Sequence, residues 1–132
     1  MNCPKKDKNT ELKEIREYHT PSAALHRKEF YMSAKAQLNA DSAVVAQIGS
    51  PLYHLDFIKK CSKTFKELFQ FVRFYMGSAP SYPGGSWCYV FLSDNVDPLN
   101  LNRNPLSDLK YYNQEIHRAA FALPSFVKEY IQ

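Results

Sequence analysis

A proline- and glycine-rich turn, Pro80-Ser81-Tyr82-Pro83-Gly84-Gly85-Ser86, separates two aromatic and β-branched runs and limits what this chain can fold into. The run before it is Phe71-Val72-Arg73-Phe74-Tyr75-Met76, and the run after it is Trp87-Cys88-Tyr89-Val90-Phe91-Leu92. Both hold the residue types that suit a pleated, buried surface. The prolines fix φ and the glycines supply positive φ, so the pattern predicts an antiparallel hairpin. Its turn offers a phenol, Tyr82, and an indole, Trp87, on a rigid frame.

The rest of the chain divides into a polar tail, residues 1–20, and one domain over 21–132. In the tail only Leu12 and Ile15 stand out as widely spaced apolar residues, too few to bury a core. Ser22 is a candidate cap for a helix whose apolar face is Phe30, Tyr31, Ala34 and Leu38. Ser42 to Ile48 is a short apolar run closed by Gly49-Ser50-Pro51, the pattern of a strand buried on both faces. A helix from about His54 to Phe69 follows, with Ile58, Cys61, Phe65, Leu68 and Phe69 as its buried stripe. After the hairpin, a polar linker over 93–105 leads to a last segment broken at Leu123-Pro124, and Ser125 starts a terminal helix.

This order predicts an α/β sheet. The strand near 43–48 and the strand near 71–79 are joined by a helix and are expected to run parallel through a right-handed crossover. The strand near 87–94 is expected to be antiparallel beside the second. Ligands in open α/β sheets bind outside the carboxyl ends of strands. By topology Gln47, Tyr82 and Trp87 then converge on one rim, where a buried amide, a phenol and an indole suit a cationic or flat organic ligand. The alternative is that Tyr82 and Trp87 are hairpin core and that Gln47 caps a backbone group.

Other chemistries find less support. The formal net charge of +4 is a mild excess. Lys59, Lys60, Lys63 and Lys66 fit a solvated helix face, so no nucleic-acid partner is expected. His19, His26, His54 and His117 are scattered without metal-ligand spacing, so no metal site is expected. There is no glycine-rich phosphate loop. The three cysteines, Cys3, Cys61 and Cys88, are odd in number and point to reduced thiols in a cytoplasmic protein. No apolar run approaches the roughly 18 residues of a membrane span, and the polar N-terminus is unlike a signal peptide.

Two segments resemble a known family. Leu109-Lys110-Tyr111-Tyr112-Asn113 with Ile116-His117-Arg118-Ala119-Ala120-Phe121-Ala122-Leu123-Pro124 is similar to the C-terminal signature of the spermidine synthases, the polyamine aminopropyltransferases. Pro80-Ser81-Tyr82-Pro83-Gly84-Gly85 resembles their Pro-x-Tyr-Pro-x-Gly turn. Ala46-Gln47 followed by His54-Leu55-Asp56 resembles the end of a late sheet strand and the helix after it, and Phe30-Tyr31 the helix before. The likeness runs from about Pro21 to Ile131.

The resemblance implies the C-terminal half of a methyltransferase-like, Rossmann-type sheet. It implies transfer of an aminopropyl group from decarboxylated S-adenosylmethionine to putrescine, giving spermidine and methylthioadenosine without a metal or resident cofactor. Carried over by position, Gln47, Tyr82, Pro83 and Trp87 would line the diamine side, and Pro21 and Leu25 would lie near the adenosine. The family's Asp-x-x-Asp-Pro motif, which supplies the proton-accepting carboxylate, falls where this chain reads Glu14-Ile15-Arg16-Glu17-Tyr18. Glu14 and Glu17 are therefore the candidate catalytic acids. The family's glycine-rich nucleotide loop, ribose-binding acid and N-terminal β-domain have no counterpart in these residues, and Gly49 stands where many members carry an acid. Two readings follow. In one, the chain is an aminopropyltransferase half, inactive alone, that works as a homo-oligomer or with a chain supplying the missing half. In the other, it is a non-catalytic interaction subunit or truncated relative that pairs with a full-length synthase.

Overall fold

Strand pairing in the computed structural model, which describes residues 23–101 and 106–132, begins at the hairpin. Strand β2 (Phe71–Ser78) runs antiparallel to strand β3 (Ser86–Ser93), from Phe71 opposite Ser93 to Ser78 opposite Ser86. The turn closes with the Ala79 amide donating to the Gly85 carbonyl at 2.8 Å and the Gly85 amide donating to the Tyr82 carbonyl at 3.0 Å. Gly84 and Gly85 take φ of 84° and 64°, the left-handed values that the turn requires of them.

Strand β1 (Val44–Gly49) also pairs with β3, and does so antiparallel, giving the order β1-β3-β2. This corrects the expected parallel pair. The helix-linked strands β1 and β2 each run opposite to β3 and so share a direction, but β3 lies between them and no parallel pairing forms among the described residues. The reason lies in composition. The central place falls to the strand with the continuous aromatic and apolar run Trp87 to Leu92, where alternate residues are fully buried and the residues between them are half-buried. Cys88, Val90 and Leu92 are fully buried there. Burying a Val or Leu side chain contributes about 1.5–3 kcal/mol, as an upper bound.

Helices cover one face of the sheet and part of the other. A 3-10 turn, Ala23–His26, leads into helix α1 (Lys28–Ala36), and helix α2 (Leu55–Leu68) connects β1 to β2. Helix α3 is Gln114–Phe121 and helix α4 is Ser125–Ile131. One layer packs Tyr31, Ile58, Cys61, Phe65, Phe69, Leu123 and Val127 against Ile48, Phe74, Cys88, Val90 and Leu92. Tyr31 meets Phe65 edge to face at 4.6 Å between centroids. Its neighbour Phe30, expected on the same buried face, is exposed. Leu68 is only partly buried. Two α2 side chains, Ser62 through Oγ at 3.0 Å and Lys66 through its ammonium, donate to the Ile131 carbonyl at the end of α4.

On the opposite face Tyr75 and Tyr89 stack at 5.3 Å, and Phe121 of α3 packs against Tyr75 at 5.3 Å. Helix α3 begins at Asn113, whose side chain accepts the Ile116 amide at 2.8 Å. Helix α3 covers the β2 side. Over β1 the same face is open: Val45 is 55% exposed, so the strand expected to be buried on both faces is buried on one. The polar tail, the proposed Ser22 cap, Pro21, Glu14 and Glu17 lie outside the described residues.

Candidate active-site rim

The β2–β3 turn leans on the loop between β1 and α2, and the rim forms where they touch. That loop, from Gly49 to His54, folds on Ser50. The Ser50 carbonyl accepts the amides of Tyr53 and His54 at 3.2 and 2.9 Å, and its Oγ accepts the Leu52 amide at 3.2 Å. A Cβ on Gly84 would stand 3.2 Å from Leu52 and 3.3 Å from Tyr53. The two loops therefore pack at close range.

Trp87, the only tryptophan, lies between them. Its ring is 4.4 Å from that of Tyr82, tilted by 38°, and 6.1 Å from the imidazole of His54. Tyr82 is 41% exposed, so the pair presents an aromatic surface outward. Tyr53, His54, Pro83 and Trp87 line a cavity of about 210 Å³. The Trp87 Nε1 donor is shielded from solvent and has no partner among the described residues. A larger groove of about 550 Å³ lies away from the rim between α2 and α4, walled by Lys59, Lys60, Lys63, Lys66 and Tyr130. The Lys59 ammonium sits 5.8 Å over the Tyr130 ring there.

Of the residues expected at the rim, the structure brings Tyr82, Pro83 and Trp87 together. Gln47 is exposed rather than buried, because it lies on the open face of β1. It stands opposite Tyr89, and Trp87 lies two residues from Tyr89 on the same face of β3. Leu25 is exposed on the 3-10 turn. That turn meets α2 through His26, whose ring is 5.1 Å from Phe57. Sequence pattern alone places neither His54 nor Tyr53 at the rim. A signal was available: His54 follows Gly49-Ser50-Pro51, and the Ser50 turn brings its imidazole back onto the Ser50 amide at 3.0 Å.

The rim offers aromatic faces beside half-exposed polar groups. Aromatic faces attract ammonium groups and gain about 0.5–2 kcal/mol from each. Cys61 and Cys88 are unsuited as nucleophiles, since burial pushes both thiols up to about 12. No three His, Cys, Asp or Glu side chains among the described residues are grouped to hold a metal ion. No described helix is long and apolar enough to cross a membrane.

Known proteins are similar to this chain in sequence and fold. The family model for the spermine/spermidine synthase domain matches residues 13–103. A polyamine aminopropyltransferase from Thermoanaerobacter sp. is 40% identical over 111 residues, which are 83% of this chain and 40% of the relative. That from Caldicellulosiruptor bescii is 40% identical over 114 residues, 85% of this chain and 41% of the relative. The crystal structure of spermidine synthase from Thermotoga maritima superposes with a TM-score of 0.72 at 34% identity, covering 85% of this chain and 40% of that one. A spermidine synthase in complex with the transition state analogue AdoDATO gives 0.71 at 33% identity, covering 83% of this chain and 40% of that one. The chain thus spans about 40% of the length of these relatives. With its matched domain, its hairpin turn and its sheet, the chain belongs to the spermine/spermidine synthase family.

Proposed function

We propose that this chain supplies the amine-acceptor wall of an aminopropyltransferase, one that moves the aminopropyl group of decarboxylated S-adenosylmethionine onto putrescine. The observation that carries the reading is the Tyr82–Trp87 pair at 4.4 Å, tilted and partly exposed at the sheet rim. Pro83 and His54 border it, and Gln47 lies on the same sheet face. The aromatic faces hold the diamine's ammonium end, and the Gln47 amide offers a donor and an acceptor beside them.

In the reaction the amine nitrogen attacks the carbon bonded to the sulfonium, the carbon–sulfur bond breaks, and methylthioadenosine leaves. The amine must first lose a proton. With a Lys-like value near 10.4, that costs roughly 4–5 kcal/mol at pH 7. We assign Glu14 and Glu17 as the carboxylates that accept it, by their match to the family's acid spacing. Pro21 and Leu25 belong to the adenosine side. The nucleotide-binding residues are contributed from outside these 132 residues, on the same polypeptide or on a partner.

The test is a methylthioadenosine-release assay on the chain alone and on the chain mixed with a full-length spermidine synthase. The chain alone is expected to release none. Release by the mixture above that of the synthase, lost with Glu14→Gln or Glu17→Gln in this chain, supports catalysis. A second reading, a non-catalytic subunit, draws on the open edge and face of β1, where Val45 is 55% exposed. It predicts a change in the synthase's rate that survives both glutamine substitutions.

A further inference from the structure

Two loops far apart in sequence meet at the rim, and one imidazole touches both. His54 Nδ1 accepts the Ser50 amide at 3.0 Å, so the neutral ring carries its proton on Nε2. The ring lies 6.1 Å from the Trp87 indole at 68°. Gly49 makes this possible. At its φ of 108° an added Cβ would stand 2.9 Å from His54 Nδ1. The Trp87 indole is thus braced by His54 on the β1–α2 side and by Tyr82 on the turn side.

We propose that His54 is a positioning residue for the aromatic acceptor wall. By tying down the Ser50 amide and bracing the Trp87 indole, it sets the angle at which Trp87 meets Tyr82 and hence the face offered to an alkyl ammonium. The inference deepens the acceptor-wall reading and rests on it for its use in catalysis. Its geometric half stands on the two contacts alone. His54 itself is exposed, so its replacement alters the rim and leaves the core in place.

Trp87 is the only tryptophan, so fluorescence excited selectively at tryptophan reports on it alone. His54→Ala removes both contacts, His54→Asn keeps a short acceptor near Ser50 without the ring, and His54→Phe keeps a ring without the acceptor. In His54→Ala and His54→Asn the emission is expected to shift to the red and acrylamide quenching to rise, with far-UV circular dichroism unchanged. In His54→Phe the emission stays near wild type while the Ser50 amide loses about tenfold of its exchange protection. Unchanged Trp87 emission and quenching in all three variants overturns the proposal. In the wild-type chain, absence of a nuclear Overhauser contact between the His54 and Trp87 rings overturns it too, whatever the variants do. Titration with putrescine separates the two ideas. A wild-type Trp87 signal that responds to millimolar diamine, with the response weakened about tenfold in His54→Ala, supports both. A wild-type signal blind to the diamine overturns the acceptor reading, and the emission and exchange data then decide the positioning role by themselves.

Discussion

Arg73 and Asp97 meet as a two-point pair: Nε donates to Oδ1 at 3.1 Å and Nη2 donates to Oδ2 at 2.7 Å. The pair joins β2 to the linker that follows β3. The same Oδ1 accepts the Leu99 amide at 3.2 Å, and the next carbonyl, of Pro98, accepts from His117 Nε2 of α3 at 2.7 Å. The linker is thereby stitched to the sheet on one side and to α3 on the other.

Breaking that pair is expected to cost stability in a pH-dependent way. The hydrogen bonds from Arg73 hold the Asp97 carboxyl below its usual value of 3.8, against the opposing effect of burial. A depressed folded value means that the contribution is present above pH 3.8 and is lost as the pH falls through the folded value. Arg73→Leu or Asp97→Asn should lower stability by about 1 kcal/mol at pH 7, the discounted worth of a bidentate pair whose arginine is partly exposed. The difference between wild type and Asp97→Asn should shrink as the pH is taken below 3.8. Urea denaturation at pH 7 and at pH 3 measures this. Equal differences at both would show that the ionic contribution is absent.

Three glycines with positive φ should rank in a fixed order when changed to alanine. Gly85 has open space around its missing Cβ, so only backbone strain applies, roughly 1–2 kcal/mol. Gly84 adds a contact at 3.2 Å with the end of Leu52, a flexible side chain that can yield. Gly49 is the worst case, at 2.9 Å from the His54 ring with φ of 108°. Thermal melts should therefore fall most for Gly49→Ala, and only Gly49→Ala and Gly84→Ala should also alter Trp87 emission. A Gly85→Ala variant as damaged as Gly49→Ala would contradict the close-approach account.

The buried cysteines should be inert. With both thiols pushed up to about 12 by burial, the thiolate fraction at neutral pH is negligible. Peptide mapping after brief iodoacetamide treatment of the native protein should leave Cys61 and Cys88 unmodified, and treatment in urea should label both. Rapid native labelling of either would mean that its surroundings open readily.

The hairpin, the α2 stripe and the Tyr82–Trp87 pair were legible in the sequence because each is a local pattern. Proline and glycine fix the turn, the spacing of Ile58, Cys61 and Phe65 fixes a helix face, and a two-strand turn puts its flanking aromatics side by side. Strand order was not local. A hairpin says that β3 neighbours β2 but not on which side, and the apolar run at Val44–Ile48 looks as buried as the run at Cys88–Leu92. The structure separates them on the outer face: Val45 and Gln47 of β1 are exposed there, while their partners Phe91 and Tyr89 of β3 are half-buried. A lone histidine carries no spacing signal, and the one sequence sign of His54's role is the Gly49-Ser50-Pro51 turn that folds its ring back onto the Ser50 amide. The resemblance at Pro80–Gly85 and Leu109–Pro124 anticipated the family, which the comparisons show.

The open edge of β1 leads to a prediction about assembly. Among the described residues β1 pairs on one side only, with β3. Its free backbone groups and the 55% exposed Val45 form an edge of the kind that pairs with another strand unless it is covered. The chain is therefore expected to form a homo-oligomer or to bind a chain that completes the sheet, and sedimentation velocity should show a coefficient that rises with concentration. Val45→Lys places a charge on that edge without touching the core, so it should change stability by no more than about 0.5 kcal/mol. It should, however, weaken association by about tenfold or more, because a lysine on an edge strand opposes pairing with another strand. A compact monomer across a wide concentration range would make β1 an edge that the fold tolerates uncovered, and association indifferent to Val45→Lys would place the contact elsewhere.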